Sequence, residues 1–317
     1  MDKFLSCDWG TSSFRLRLVQ YDSLEIIAEE KNDNGIASTY KLWQQERADH
    51  ATRQIFYYAV IEQYIELLSK RLGQSLAGIP VIISGMISST IGMIDLPYKQ
   101  TPVAIDGSDL EITTLAMERS ENVLIIVSGI TTGDDIMRGE ETKIVGCASH
   151  LDNDNEQLVI FIGTHPKHVT IQSKKVIGIK TYMTGEFFSL LTTQSILAPS
   201  IKQGGDFYQP ENQHSFKKGV EDSRKGNLLQ LTFGVRINDL LKNTPAENNF
   251  YYLSGLLIGS ELKDLLNYKC PVYLCGGADL IPYYKVACDV LWIAISAEID
   301  ADEALLRGQK QIITLSC

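Results

Sequence analysis

The sequence predicts an α/β protein made of two similar lobes, each built on a mixed sheet. The first sign is a duplication: Phe4-Leu5-Ser6-Cys7 and Leu158-Val159-Ile160-Phe161 are short apolar runs that break at Gly10-Thr11 and Gly163-Thr164, then resume as β-branched, alternating sequence. The two glycines stand 153 positions apart in a chain of 317. The second is the order of elements after each turn, strands first and then alternating helices and strands, which is the signature of a sheet with both parallel and antiparallel pairs. The third is length, which suffices for two ordinary domains that each bury most of their apolar surface. The expected domains are 1–137 and 138–317.

Each element follows from local pattern. Residues 3–8, 12–20 and 24–31 read as strands, with Gly10 and Asp22-Ser23 supplying turns. Residues 46–72 carry apolar side chains at helical spacing through Ile55, Ala59, Ile61, Ile65 and Leu68 and stop at Gly73. A buried strand at 80–84, a helix at 109–117 and a buried strand at 122–127 complete the first lobe. Residues 133–146 begin as a loop and continue as a connecting helix.

The second half replays the order, with strands at 157–162, 168–173 and 175–181 and a helix at 184–197. Residues 199–227, rich in Gly, Asn, Gln and Lys, read as an insertion with helical pieces. A helix at 246–268, a strand at 271–275, a helix at 280–288, a strand at 290–294 and a helix at 300–314 follow.

Composition narrows the function. Hydrophobic residues at 44% and charged residues at 21% are those of a soluble globular protein. With 29 basic against 39 acidic residues the net charge is -10, which argues against a nucleic-acid partner. The Met1-Asp2-Lys3-Phe4 start lacks a signal-like segment, and no apolar run approaches ~18 residues, so no membrane is implied and a cytoplasmic location is expected. The six cysteines lack metal-knuckle or redox spacing and read as reduced, mostly buried thiols, with Cys317 an exposed end.

Several motifs carry chemistry. Asp8 stands where a buried strand empties into Gly10, Thr11, Ser12 and Ser13, a turn able to bring amides and hydroxyls to a phosphate while the carboxylate holds a hydrated Mg²⁺. An ordinary hairpin has the same local pattern; its echo at Gly163-Thr164-His165 favours two turns gripping a polyphosphate. Lys167 could neutralise charge and His165 could donate to a phosphate oxygen. Gly276 and Gly277 end a strand and permit close approach of a flat ligand such as adenine. Asp134 to Glu141 places four carboxylates and Arg138 within eight residues, a set suited to general-base work and metal coordination, or else to a solvated helix start. Arg138 has the planar fork that binds a carboxylate bidentately. Ser84 to Met93 could line a sugar pocket or form a tight helix start.

These residues together resemble the 2-dehydro-3-deoxygalactonokinase family, sugar-acid kinases of the actin-like ATPase superfamily. The matching pieces are Asp8-Trp9-Gly10-Thr11-Ser12, Gly85-Met86, Leu96-Pro97-Tyr98, Met137-Arg138-Gly139-Glu140-Glu141-Thr142, Gly163-Thr164-His165 with Lys167, Met183-Thr184-Gly185-Glu186, and Leu253-Ser254-Gly255-Leu256-Leu257-Ile258-Gly259, in order across nearly the whole chain. The resemblance implies two ribonuclease H-like lobes around a central cleft and transfer of the ATP γ-phosphate to 2-dehydro-3-deoxy-D-galactonate, giving the 6-phosphate in galactonate catabolism. It implies ATP and Mg²⁺ as cofactors, a small-molecule sugar acid as partner, and allows a homodimer.

Under it, Asp8 and Gly10, Thr11 and Ser12 serve the metal and phosphates, and Gly163, Thr164, His165 and Lys167 serve phosphate from the other lobe. Gly276 and Gly277 face the nucleoside, Glu140 is the base with Asp135 its rival, and Arg138, Glu141, Gly85, Met86 and Ser89 face the sugar acid. The chain departs from the family pattern at Ser88, Met93, Ser128, Pro166 and His168. A kinase of another sugar acid or 2-keto sugar, and a non-catalytic sugar-acid sensor, are the alternatives.

Overall fold

The structure is a computed structural model that describes residues 1–45, 50–117, 120–152 and 154–316. The chain packs into two units, one of Met1–Asn153, Gln172–Ile179 and Asp302–Cys317, the other of Asp154–Ile171 and Lys180–Ala301. The division expected at 137/138 differs from this, because the helix that begins at Glu140 packs on the first sheet. Among the described residues no helix is long and apolar enough to cross a membrane.

The first unit opens with β1 (Lys3–Trp9), β2 (Phe14–Gln20) and β3 (Ile26–Asn32), then α1 (Ile36–Gln45) and α2 (His50–Leu72). After β4 (Val81–Gly85) come the two-residue strands β5 (Lys99–Gln100) and β6 (Val103–Ala104), then β7 (Ile112–Ala116), β8 (Val123–Val127), β9 (Ile130–Thr131), β10 (Ile136–Met137) and α3 (Glu140–Cys147). Its main sheet runs β3-β2-β1-β4-β8-β7. β1 is antiparallel to β2 and parallel to β4, and β4 is parallel to β8. Three antiparallel strands continued by two parallel ones are the arrangement of the ribonuclease H-like lobe that the resemblance implies. β1 lies inside this sheet, so Phe4, Leu5, Cys7 and Trp9 are all fully buried and its sequence does not alternate.

Two expectations change here. Residues 109–117 do not form a helix; β7 pairs antiparallel with β8 from Ile112↔Val127 to Ala116↔Val123, and the β-branched run Ile112-Thr113-Thr114 suits a strand. The buried stripe of α2 runs through Tyr57, Ile61, Ile65 and Leu68, whereas Ile55 is 65% exposed. The expected start of that helix at 46–49 lies outside the described residues.

The second half contains β11 (Gln157–Phe161), β12 (Lys167–Gln172), β13 (Lys175–Thr181), α4 (Thr184–Thr193), α5 (Pro210–Asp222), α6 (Leu228–Thr232), α7 (Gly234–Lys242), α8 (Ala246–Leu262), β14 (Val272–Gly276), α9 (Ile281–Leu291) and β15 (Ile295–Asp300). In the second unit β11 is antiparallel to β12 and parallel to β14, which is parallel to β15. This repeats the first unit's pattern about its own first strand. Residues 172–179 belong to the first unit, where Val176 and Lys175 pair with Val103 and Ala104.

Helix α8 is apolar nearly all round and is the core of the second unit. Residues 199–227 hold the expected helical piece, α5, which buries Phe216 and Val220 against that core. Its backbone touches that of α8, since a Cβ on Gly255 would lie 2.0 Å from the Phe216 carbonyl oxygen. The strand expected at 290–294 is displaced as well. Leu291 is 1% exposed as part of α9, which stops at Trp292 in a left-handed conformation before β15 begins. A short apolar run does not distinguish buried helix from buried strand.

The last helix, α10 (Ala301–Ser316), returns to the first unit from Asp302 onward. Arg15 and buried Arg17 on β2 both bond the Asp302 carboxylate, at 2.7 and 2.5 Å. Facing glycines let α10 lie against α3: a Cβ on Gly146 would sit 1.8 Å from the Ala304 carbonyl oxygen, and one on Gly308 1.8 Å from that of Thr142. Cys7, Cys147, Cys275 and Cys288 are buried and Cys270 partly so, none in a disulfide. Cys317 lies outside the described residues.

The α5–α8 contact predicts that Gly255→Ala lowers the unfolding free energy by about 3 kcal/mol, read from the urea midpoint. Gly73→Ala, where a Cβ meets nothing within 4 Å, costs only about 1 kcal/mol of left-handed strain.

Candidate functional site

In the first unit the turn after β1 is packed on the start of α1. The Ile36 and Ala37 amides donate to the carbonyls of Gly10 (2.9 Å) and Thr11 (3.1 Å). A Cβ on Gly35 would lie 2.2 Å from the Thr11 oxygen. Gly10 closes the turn by donating to the Ser13 carbonyl at 3.0 Å. The Thr11 and Ser12 amides have no acceptor among the described residues, and both side chains are exposed. Successive amides without an acceptor are suited to binding an anion. Asp8, one residue before the end of β1, is half-buried and its carboxylate has no hydrogen-bond or ion-pair partner among the described residues.

The ends of β1 and β4 are joined to the start of α3 by backbone contact. Gly85 has φ +105°, and a Cβ there would lie 2.6 Å from the Trp9 carbonyl oxygen. Gly139 has φ +108°, and its Cβ would lie 3.2 Å from the Gly85 Cα. An L-residue is strained at such φ values. Glu140, the first residue of α3, therefore stands at the same sheet end as Asp8. One of its oxygens accepts from the Arg138 amide at 3.2 Å, and the other has no partner among the described residues.

Glu141 is different in kind. It is 1% exposed, Oε2 accepts from the Gly139 amide at 2.6 Å, and Oε1 is buried without a partner among the described residues. Burial first, and then the neighbouring Glu140 charge, push its pKa up to about 8. Its burial inside the protein favours the protonated form. Asp135 lies in the turn between β9 and β10, where its carboxylate accepts from the Ile136 amide at 2.7 Å and its carbonyl accepts from the Thr132 amide.

Arg138 is 9% exposed, and its guanidinium organises the loop after β4. Nη1 donates to the Ser88 carbonyl and, at 2.6 Å, to the Ser88 hydroxyl; Nη2 donates to the Leu96 carbonyl at 3.3 Å and Nε to the Tyr98 hydroxyl at 3.3 Å. The cation also lies over the Tyr98 ring, 4.1 Å from its centre. Of five N–H donors, one on Nη2 has no acceptor among the described residues, so the open bidentate fork expected from sequence is not present. Ser88 passes the restraint on by donating to the Val127 carbonyl at 2.8 Å. Ser89 donates to the Met86 carbonyl, so its hydroxyl closes the short helical turn Met86–Ser88.

The second unit repeats the first turn's construction. The Gly185 and Glu186 amides at the start of α4 donate to the Thr164 carbonyl at 3.1 and 3.2 Å. A Cβ on Gly185 would lie 2.8 Å from the Thr164 Cα. The amides of Gly163, Thr164 and His165 have no acceptor among the described residues. Lys167 is 8% exposed, with Nζ donating to the His165 carbonyl at 3.2 Å, and so stays behind the turn. His165 Nε2 lies 2.5 Å from Glu186 Oε2, which leaves Nδ1 as the ring nitrogen able to face a ligand.

A cavity of about 280 Å³ opens beside this turn, lined by Gly163, Thr184, Phe188, Phe250, Ser254 and Tyr283 among others. Its apolar walls with a few hydroxyls suit a planar base and a ribose. Gly276 and Gly277 are not among its lining residues. Gly276 makes room for Ile162, whose side chain a Cβ would meet at 3.0 Å, and the Gly277 carbonyl accepts the first amides of α9. The cavity is reached instead by Asp279 and Leu280, just beyond them.

Comparison with known proteins shows the family. The family model described as 2-keto-3-deoxy-galactonokinase matches residues 8–312. The chain belongs to this kinase family. A relative from Rhizobium meliloti (strain 1021), named Probable 2-dehydro-3-deoxygalactonokinase DgoK1, is 29% identical over 96% of this chain and 94% of its own length. The 2-dehydro-3-deoxygalactonokinase of Escherichia coli (strain K12) is 28% identical over 74% of this chain and 78% of its own. A crystal structure from Sinorhizobium meliloti, of a protein bearing the same kinase name, is 28% identical, covers 98% of this chain and 95% of its own, and has a TM-score of 0.81.

The cavity is lined by residues that local pattern does not single out. Thr184, Phe188, Phe250, Ser254 and Tyr283 lie on three helices that converge only in the folded chain, and the sole prior signal was the presence of Thr184 and Ser254 in matching motifs. Ser84, Thr142 and Gln309 form another buried set beneath the first turn. The Gln309 amide donates to the Cys7 carbonyl (3.1 Å) and to the Ser84 hydroxyl (3.2 Å), and Ser84 donates to Thr142.

Glu141 gives a pH test. Its folded pKa lies above the unfolded value of 4.5, so the folded kinase holds a proton that the unfolded chain releases, and stability falls as pH rises from about 5 to about 8. Glu141→Gln removes that loss: its unfolding free energy should change less than the parent's across this window, by a few kcal/mol, in urea titrations at pH 5, 6.5 and 8.

Proposed function

We propose that this kinase transfers the γ-phosphoryl group of ATP to the 6-hydroxyl of 2-dehydro-3-deoxy-D-galactonate, in the cytoplasm. The observation that carries this reading is the pair of Gly-Thr turns, each with unpaired amides and each seated on the start of a helix, together with two carboxylates, Asp8 and Glu140, that keep open oxygens at one sheet end. Family membership and the names of the relatives support the acceptor.

In this reading the Thr11 and Ser12 amides and those of Gly163 to His165 bind phosphate oxygens, and Lys167 adds positive charge from behind the second turn. The cavity beside Gly163 takes the nucleoside. Glu140 accepts the hydroxyl proton as the new oxygen–phosphorus bond forms and the bond from the γ-phosphorus to ADP breaks. Phosphoryl transfer depends on alignment and charge stabilisation, and amides held by a helix start can supply the latter within each unit.

Asp8 fits a hydrated Mg²⁺, since its carboxylate is unpaired among the described residues. Those residues contain no cluster of three or more ligating side chains, so the ion would be completed by water and phosphate, as Mg²⁺ commonly is. When bound it would neutralise phosphate charge. Arg138 holds the loop carrying Met86 and Ser89 in place and offers its one unpaired N–H to the acid's carboxylate. Ser89 and Glu141 support the sugar side from within.

In a coupled assay of ADP release with 2-dehydro-3-deoxygalactonate, Glu140→Gln should lower kcat by about 10²- to 10⁴-fold with KM for ATP little changed. Asp135→Asn should keep most of the parent turnover. No ADP release with this or any related acid would contradict the kinase reading. Arg138→Lys, which keeps charge but loses the planar fork, should raise KM for the acid more than KM for ATP.

A further inference from the structure

Behind the second turn lies a buried polar cluster that the phosphoryl-transfer reading does not use. Glu261, near the end of α8, is 2% exposed and is the meeting point of four elements. His168 of β12, also 2% exposed, places Nε2 3.0 Å from Glu261 Oε1. Tyr284 of α9 donates its hydroxyl to Oε2 at 2.9 Å, and Thr184, the first residue of α4, donates to the same oxygen. The His168 ring also packs on Tyr182, with centres 4.5 Å apart. Burial and the Glu261 charge raise the Tyr284 hydroxyl well above its ordinary range, so it remains a donor.

A buried carboxylate is costly unless it is fully hydrogen-bonded. Here its partners are the residues that shape the cavity. Thr184 and Tyr284 line it, and Thr184 begins the helix whose next two amides hold the Thr164 carbonyl. His168 is not among the lining residues and reaches the cavity only through Glu261.

We propose that Glu261, held by His168, is the positioning carboxylate of the nucleotide site, fixing Thr184 and Tyr284 and, through Thr184, the Gly163–Thr164 turn. This rests on the assignment of the cavity beside Gly163 to the nucleoside. Neither residue touches the reacting atoms. Their effect is on where the turn and the cavity wall stand, so nucleotide affinity should respond while affinity for the acid does not.

The test uses the full-length kinase, with ADP binding measured by calorimetry and steady-state kinetics measured for both substrates. His168→Phe keeps a ring but removes the bond to Glu261; it should weaken ADP binding and raise KM for ATP about tenfold, with kcat and KM for the acid changed less than twofold. His168→Gln, whose amide can reach the same carboxylate, should restore most of the affinity. Should His168→Phe not fold, Thr184→Val against Thr184→Ser reads the same link from the other end, the first weakening ADP about fivefold and the second near the parent.

The proposal is overturned if folded His168→Phe, or folded Thr184→Val, binds ADP as the parent does, or if the Gln and Phe variants lose affinity equally. Ser254→Trp fills the cavity and separates the two readings. Its loss of ADP binding with His168→Phe unaffected rejects the positioning role alone, whereas parent-like ADP binding by Ser254→Trp rejects the nucleoside assignment and this proposal with it.

Discussion

The first unit's site depends on one backbone contact, the approach of Gly139 to Gly85 beneath the Trp9 carbonyl. Three chain segments distant in sequence meet there with no side chain between them. The ends of the two parallel strands β1 and β4 present Asp8 and the loop after Gly85, and the close approach puts the first residue of α3 beside them. Both glycines have φ values that other residues adopt only under strain. The neighbouring bonds are arranged around this contact. Glu141 bonds the Gly139 amide, Glu140 bonds the Arg138 amide, and Arg138 reaches back to Ser88 and Leu96 to hold the loop that Gly85 begins. Behind them, Gly146 and Gly308 bring α10 against α3, and Gln309 ties Cys7 to Ser84.

The second unit solves the same problem with the same device. A strand ends, a Gly-Thr turn follows, and a helix begins on a glycine that lets its first amides bond the turn's carbonyls. Beside Gly35 the Ala37 amide bonds the Thr11 carbonyl and the Ile36 amide that of Gly10, whereas the Gly185 and Glu186 amides both bond that of Thr164. The turn's carbonyls are engaged by the helix, while its own amides have no acceptor among the described residues, which leaves donors for an anion. The two units differ in what surrounds the turn. The first carries unpaired Asp8, while the second carries buried Lys167, the His165–Glu186 pair and the Glu261 cluster.

Much of this was legible in the sequence because it is local. The Gly-Thr turns, the strands beside them and the helix at Gly139-Glu140 are marked by breaks in apolar pattern that need no tertiary knowledge. Readings failed where a short apolar run served either secondary structure, as at 109–117 and 290–294; the helix expected within 199–227 is present as α5, but its composition did not show that it enters the core. Side-chain roles were harder. Arg138 looks like an open fork in sequence, but its acceptors are carbonyls some forty and fifty residues earlier. Gly276 and Gly277 look like a ligand floor, but one accommodates Ile162 and the other starts α9. Glu261, within the helix expected at 246–268, carries no local signal, and only folding brings His168 to it from 93 positions away.

The Gly139–Gly85 contact fixes where Glu140, the proposed base, stands at the end of the sheet. The most direct test is kcat for ADP production from ATP and 2-dehydro-3-deoxygalactonate by Gly139→Ala, measured beside its thermal unfolding. A methyl group there meets the Gly85 Cα at 3.2 Å, which demands a shift of a few tenths of an ångström, at a φ of +108° that strains an L-residue; as a full 1 Å misplacement costs about a hundredfold, this shift costs about tenfold in rate. The expected result is a folded, less stable protein with kcat reduced by that order. A folded Gly139→Ala protein with the parent's turnover would contradict it.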